Sequence, residues 1–200
     1  MAILEFSKDY ILEDKRVRLS PLKFEHFKDL VKITNDSDLW KYFLEKGDGE
    51  ENLKKYITET VGNRKQAKEY PFVIFDKLKN RFAGTTRFYD YSADLKIIKI
   101  GHTWIGKEFQ GTGLNKHCKY VLFQFAFETL NLERIGFGAH SENTRSIKAM
   151  ESVGCKKEGV LRSFLPAINT KGRADIVLLS ILKDEWLEST NFKLQQKLTN

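Results

Sequence analysis

The clearest chemical signal in the chain is the stretch Phe109-Gln110-Gly111-Thr112-Gly113-Leu114-Asn115, which lies between an apolar β run and a long helical pattern. Its second half must therefore open a helix. The first turn of a helix has backbone N–H groups without intrahelical partners, and the helix dipole favours an anion there. Glycine at 111 and 113 lets that backbone approach a diphosphate closely, and Lys107 adds a positive charge nearby. A tight strand-to-helix turn needs small residues as well, so the glycines alone leave a ligand site and a plain turn both open. Two familiar phosphate loops are rejected. The third glycine of GxGxxG and the Gly-Lys-Ser/Thr ending of a P-loop are missing, and the loop follows a run of strands instead of opening a parallel βαβ unit.

A second cluster is Asn143-Thr144-Arg145-Ser146, at the start of a short helical pattern that ends in Gly154. Asn143 is placed to cap that helix, a role it fills with or without a ligand. His102 is the titratable group nearest the glycine loop on the strand side, with an ordinary pKa near ~6.5 that suits proton transfer. A lone strand histidine also serves as a packed core residue, and both readings stay open. His26 and His117 read as helix-surface or packing residues, and His140 is a weaker candidate than His102. Cys118 falls on an apolar helical face and Cys155 at the beginning of a strand, where cysteine behaves as a small hydrophobe. No His, Cys, Asp or Glu group has metal-ligand spacing, so no metal is expected.

The elements that hold these residues alternate along the chain. Val17 to Leu19 ends a strand, and Ser20-Pro21 reads as a helix cap followed by proline in the first turn. Phe27, Leu30 and Val31 share one helical face, and Leu53, Tyr56, Ile57, Thr60 and Val61 share another. Three strands follow, Pro71 to Phe75, Phe82 to Tyr89 and Leu95 to Ile105, with short turns that imply an antiparallel meander. Beyond the glycine loop, Leu114, Cys118, Val121, Leu122, Phe125 and Leu130 keep one apolar face along a helix. A strand at Arg134 to Ala139, the short helix and two closing strands around Val160 to Arg162 and Ile176 to Leu182 complete the pattern. The order β-α-α-β-β-β-α-β-α-β-β predicts a mixed α/β (α+β) sheet with helices on its faces. Residues 1–187 read as a single domain and 188–200 as a polar tail, of which Asn191 to Asn200 is expected to fray.

At 200 residues, the chain is long enough for one sizeable core and short for two. No apolar run reaches the ~20 residues of a membrane span, and no secretory signal precedes the first element. Two cysteines do not make a disulfide framework. A cytoplasmic enzyme fits these features. The net charge is +7 and the pI about 9.2, but Lys and Arg are dispersed among 27 acidic residues with no basic stripe. A mixed solvated surface explains this better than nucleic-acid binding.

Taken together, Ile100-Gly101-His102-Thr103-Trp104, Phe109 to Asn115, Asn143-x-x-Ser146 with Gly154-Cys155, Glu158 to Arg162 and Asp175 to Leu182 resemble a GNAT-superfamily acetyltransferase. More narrowly, they resemble the RimJ/RimL-like branch, which includes ribosomal-protein N-terminal acetyltransferases. The likeness covers about residues 15 to 187, in the family's order. It implies a mostly antiparallel sheet with a V-shaped split between the strand ending near Ile105 and the strand starting at Arg134, and acetyl-CoA as cosubstrate lying in that split. The pantetheine arm would follow the backbone of Thr103, Trp104 and Ile105. The diphosphate would meet the N–H groups of Gln110, Gly111, Thr112, Gly113, Leu114 and Asn115, and Asn143 would bond the arm. The tyrosine that protonates the leaving thiolate in many members is matched by Met150, and Ser146 stands where the RimL-like branch has a substitute serine. Glu108 replaces a Gln or Arg of the family loop and is expected to face solvent. The stretch Lys96 to Ile100 lacks the carboxylate that many members use to hold a water, which leaves His102 as the candidate base.

The partners implied are acetyl-CoA and an amine, either a protein N-terminus or a small molecule, with direct attack in a ternary complex and a monomer or homodimer. A non-catalytic CoA- or partner-binding module of the same fold is the competing reading, favoured by Met150 and the missing strand carboxylate. The intact glycine loop and Asn143-x-x-Ser146 favour the enzyme.

Overall fold

The structure, a computed structural model, describes residues 3–168 and 171–199. The first strands, β1 (Leu12–Glu13) and β2 (Val17–Pro21), run antiparallel with Leu12 opposite Leu19. Ser20-Pro21 does not begin a helix, as its sequence suggested. Both residues pair in the sheet, opposite Val73 and Phe72, and proline, which has no N–H to donate, sits at the strand's last position. Helical turns begin at Phe24 and include α1 (Phe27–Leu30). The longer α2 (Gly49–Lys65) buries Leu53, Tyr56, Ile57 and Thr60, the stripe its periodicity predicts.

The meander follows as β3 (Glu69–Asp76), β4 (Arg81–Ser92) and β5 (Ile97–Ile105), each antiparallel to the last. After the glycine loop, α3 (Leu114–Gln124) continues through a π-helical turn to Thr129. Then come β6 (Arg134–His140), α4 (Thr144–Ser152), β7 (Lys156–Pro166) and β8 (Arg173–Leu182). The eight strands form one sheet in the order β1-β2-β3-β4-β5-β6-β8-β7. Only β5 and β6 are parallel, so the sheet is mixed and mostly antiparallel. Helices cover both faces. Trp40, Leu53, Tyr56, Ile57, Val73 and Trp104 form the core on the α2 side. Phe72, Ile98, Ile100, Leu114, Cys118, Phe123 and Ile135 belong to the larger core on the α3 side.

Two features set up a cleft in the middle of this sheet. The first is the parallel pairing of β5 with β6, which lasts for only Ile97↔Arg134, Ile98↔Ile135 and Lys99↔Gly136. Beyond Lys99 the strands part, and the backbone of Ile100 to Ile105 loses its neighbour on that side. The second is a bulge. Thr85 faces Trp104 and Arg87 faces Gly101, so β5 spends one more residue than β4 at His102–Thr103, and His102 is left-handed at φ 48°. A bulge reverses the inside–outside alternation of a strand. Ile98 and Ile100 thus face the α3 side before it, whereas Ile105 faces that side after it and Trp104 turns to the α2 side. Gly84 secures the contact beside the bulge, because a Cβ there would lie 2.0 Å from the Trp104 carbonyl oxygen.

The carboxy-terminal segment corrects an expectation. The stretch from Asn191, expected to fray, forms α6 (Asn191–Thr199), which follows α5 (Lys183–Glu185) and a π-helical turn over Trp186–Thr190. Trp186 and Leu194 are buried, and Gln195 Nε2 donates to the Tyr120 hydroxyl on α3 at 2.6 Å. Apolar anchors spaced widely among polar residues hold one helical stripe against α3, which a count of apolar residues undervalues. Asn200 lies outside the described residues.

Candidate active site

The parted strands open a cleft of about 710 Å³ that runs from the bulge of β5 to the start of α3. One wall is β5, with Gly101, His102, Thr103, Trp104 and Ile105, and the other is Phe137 to His140 of β6 with Asn143 and Ser146 of α4. Gln110, Gly111, Gly113 and Asn115 close the far end. The sequence-derived candidates thus converge on a single cavity. Thr112 and Leu114 are the two candidates that do not line it. The Thr112 hydroxyl donates back to the Phe109 carbonyl at 2.7 Å, and the Leu114 side chain is fully buried in the core.

The glycine loop is built as its composition requires. Gly111 and Gly113 hold φ of 73° and 84°, a region that glycine enters without strain. Nothing lies within 4 Å of where a Cβ would stand on either. Gly113 caps α3, whose first intrahelical bond is Lys116 N–H to Gly113 O at 2.9 Å, so the N–H groups of Leu114 and Asn115 precede the helical ladder. Gln110 braces the loop by donating from Nε2 to the Ile105 carbonyl at 2.8 Å and by accepting from Arg145 Nη1 at 2.7 Å. Lys107 does not supply the expected charge: it lies 3.8 Å from Asp36 and is 81% exposed. Lys116 and Arg145 line the cleft in its place. Glu108 turns outward onto Arg81 at 2.8 Å, as its charge beside an anion site requires. Asn115 lines the same end of the cavity, and its Oδ1 is a buried acceptor with no partner. An open glycine backbone, a long-helix N-terminus and nearby cations together fit a diphosphate-bearing cosubstrate.

Asn143 caps α4 as predicted, its Oδ1 accepting from Ser146 N–H at 3.1 Å, which fixes the serine at the cavity wall. Met150, 6% exposed, lies one turn further along the same helix and also lines the cleft. His102 packs edge-on against Tyr89 at 5.4 Å. Burial lowers its pKa from 6.5 to about 4, and the Arg87 guanidinium adds to the effect against the opposing pull of Glu45, Glu69 and Asp90. The imidazole is therefore neutral at ordinary pH. This has a measurable consequence. Between the folded and unfolded values only the unfolded chain binds the proton, so stability must fall as pH drops from about 6.5 toward 4, by up to about 3 kcal/mol at ~1.4 kcal/mol per unit. In His102→Asn, a substitution that tolerates left-handed backbone, urea midpoints between pH 4.5 and 7 should lose that part of their slope. An unchanged slope would mean that His102 titrates normally.

Residues missed in the sequence complete the floor and the far wall. Arg87 of β4 is 1% exposed and bridges Glu69 to Glu45, with Glu45 at 3.0 Å. Glu45 comes from the loop before α2 and lines the cleft beside His102, Tyr42 and Phe43. No motif signals it, because its place is fixed by an ion pair with a residue 42 positions away. Lys119, 5% exposed on α3, reaches between the parted strands and donates to Thr103 Oγ1 at 3.1 Å. Its helical position sits among apolar neighbours, where periodicity predicts packing. Cys118 and Cys155 are buried and their thiols pushed up to about 12 by that burial, so neither is a nucleophile. Among the described residues no group of three or more His, Cys, Asp or Glu is arranged to hold a metal, and no helix is long and apolar enough to cross a membrane.

A mixed sheet parted between two parallel strands, with a glycine-opened helix at the mouth of the gap, defines a transferase that holds an acyl-CoA. The GNAT acetyltransferase domain matches residues 16–156, and the chain belongs to that family. It is an acetyl-CoA-dependent N-acetyltransferase, with acetyl-CoA as cosubstrate and an amine as acceptor. The chain is 25% identical over 173 residues to the uncharacterized N-acetyltransferase YnaD of Bacillus subtilis, covering 86% of this chain and 96% of that one. Over 88 residues, 44% of this chain and 46% of the other, it is 38% identical to YdaF of B. subtilis, a protein named for ribosomal N-acetyltransferase activity. Among solved structures, a chain from T. thermophilus assigned as an acetyltransferase superposes with TM-score 0.84 at 26% identity, covering 99% of this chain and 100% of that one. The RimJ/RimL-like likeness of the motifs agrees with the ribosomal naming of YdaF.

Proposed function

We propose that the protein transfers acetyl from acetyl-CoA to a protein N-terminus, or a small amine of similar shape, by direct attack in a ternary complex. The parting of β5 from β6 directly beside the N-terminus of α3 carries this reading. The β6 side of Thr103, Trp104 and Ile105, which has no strand neighbour, suits the amides of the pantetheine arm, with Asn143 opposite. The diphosphate then meets Gln110 to Asn115, with Lys116 and Arg145 adding charge. When bound, acetyl-CoA supplies the activated acetyl group. Ser146 donates a hydrogen bond to the departing sulfur. Neutral His102 accepts from the acceptor amine, and Glu45 draws the amine into the cleft while it is still an ammonium. The ribosomal naming of YdaF favours a protein N-terminus over a small molecule. We place the enzyme in the cytoplasm as a monomer or homodimer, with no nucleic-acid or membrane partner, and treat residues 1–187 as its domain with α6 docked onto it.

Acetyl-CoA at ~100 times its dissociation constant should raise stability by about 2.7 kcal/mol, a readable melting shift. Thiol release over a panel of N-terminal peptides and small amines should then rise with at least one acceptor. Neither effect at millimolar acetyl-CoA would sink the reading. A melting shift without thiol release from any amine would favour the non-catalytic module, the reading to which Met150 gives weight.

A further inference from the structure

A lysine that is 5% exposed in an apolar core is expensive unless its charge is used. Lys119 is such a residue. Its Nζ reaches from α3 to the point where the sheet opens. There it donates to Thr103 Oγ1 of β5 at 3.1 Å and lies 5.8 Å from the Phe137 ring of β6. Phe137 follows Gly136, the last residue of β6 paired to β5. Lys119, Thr103, Phe137, Ser146 and Met150 all line the same cavity. The titratable groups packed against the amine are the thiols of Cys118 on its own helix and Cys155 at the foot of β7, and both are neutral. Among the described residues no carboxylate pairs with it. An ammonium with three donors thus has one neutral protein partner, Thr103, whose hydroxyl also bonds Thr86 at 2.8 Å. Burial lowers the Lys119 pKa to about 8. The site therefore holds a cation whose anion is not part of the protein.

We propose that Lys119 is a catalytic residue whose ammonium pairs with the CoA sulfur as it leaves. As the amine nitrogen bonds the acetyl carbon, the carbon–sulfur bond breaks and its electron pair stays on sulfur. The amine's proton passes to His102 and from it to solvent, so the step yields the amide, the CoA thiolate and one released proton. The thiolate is the anion that Lys119 lacks at rest, and the pairing is made only as that charge develops, which is where it accelerates transfer. Ser146 approaches from the α4 wall and Lys119 from the floor, so the two act on one atom from different sides. The inference rests on the placing of acetyl-CoA in the split.

The test compares the parent with Lys119→Met, which keeps the side chain's length and removes the charge. Thiolate absorbance of bound CoA, corrected with a CoA analogue lacking sulfur, should show the thiol ionising about 10- to 100-fold more readily in the parent than free in solution. Lys119→Met should abolish that preference, lower kcat by ~10²–10³-fold and leave the KM for acetyl-CoA within a few-fold. It should melt no lower than the parent, since replacing a buried charge with a packed apolar group is often stabilising. A bound CoA thiol that ionises identically in parent and variant would overturn the proposal, as would a variant that melts far lower with parent kcat. Failure of the placement itself is read separately. If Gly113→Asp binds CoA normally, the cosubstrate lies elsewhere and the role of Lys119 falls with it.

Discussion

Gly113→Asp should weaken acetyl-CoA binding by about three orders of magnitude while the protein remains folded. Gly113 is left-handed at φ 84°, and its Cα faces open space with nothing within 4 Å of a Cβ. Aspartate and asparagine are the side-chain-bearing residues that best tolerate left-handed backbone, so overpacking does not enter and the backbone strain is shared by both variants. The difference is charge. A carboxylate about 4 Å from a phosphate costs about 4 kcal/mol at an effective dielectric of ~20, which is roughly 10³-fold in affinity. Gly113→Asn has nearly the same shape without the charge and is the control. It should lose far less, only what its side chain takes from the space the diphosphate needs. Titration calorimetry with acetyl-CoA on both variants separates the two effects, and melting curves without ligand check the fold. Equal affinities for the Asp and Asn variants would place the diphosphate away from this loop. High salt should also narrow the gap between them, because exposed charge–charge terms are screened within ~10 Å at 0.1 M.

The loop was legible in the sequence because its physics is local. Two glycines before an amphipathic helix specify a helix N-terminus with accessible backbone, and the structure builds both. Asn143 was legible for the same reason, since an N-cap is set by residues three apart. The helices and the meander followed from periodicity. Other parts depend on residues far apart in the chain. The bulge at His102–Thr103 has a local signal in Gly101, since a glycine inside a strand often marks one, but how it turns Trp104 away from the face that strict alternation assigns and opens the wall of the cleft depends on the pairing with β4. Glu45 is held by Arg87, and Arg87 by Glu69, so the carboxylate in the cleft comes from a loop and not from Lys96 to Ile100. Nothing in the helical pattern singles out Lys119, because its depth depends on both strands of the split and on the cysteines near it. In α6, Leu194 has too few apolar neighbours in sequence to declare its burial, which the contact with α3 provides.

Ser146→Ala should lower kcat by ~10²–10⁴-fold and leave the KM for acetyl-CoA near the parent value, the range expected when a hydrogen-bond donor to a leaving group is removed. The reason for the split between the two constants lies in where the hydroxyl acts. A thioester sulfur is a poor acceptor in the ground state and a strong one as negative charge collects on it, so the bond from Ser146 strengthens as the carbon–sulfur bond breaks. Met150, the residue that matches the tyrosine of many relatives, has only a thioether there and cannot donate. Asn143→Ala must behave differently, although the two residues touch. Its Oδ1 accepts from the Ser146 N–H at 3.1 Å, so its loss uncaps α4 and lowers stability by about 0.5–2 kcal/mol. Affinity for acetyl-CoA should fall with it, because Asn143 lines the cleft where the arm is proposed to lie and α4 carries Arg145, the partner of Gln110. Ser146→Ala leaves that cap in place, so its melting temperature should stay within about a degree or two of the parent's, as for most substitutions that leave packing and caps intact. The pair therefore separates rate from binding on one turn of helix. If Ser146→Ala runs at nearly the parent rate, water or Lys119 alone supports the departing sulfur, and the serine is only a wall of the cleft. If it loses rate and affinity together, its hydroxyl holds the thioester already in the ground state. Combining it with Lys119→Met decides between a shared and a divided role: two groups on one sulfur should lose less together than the product of their separate losses.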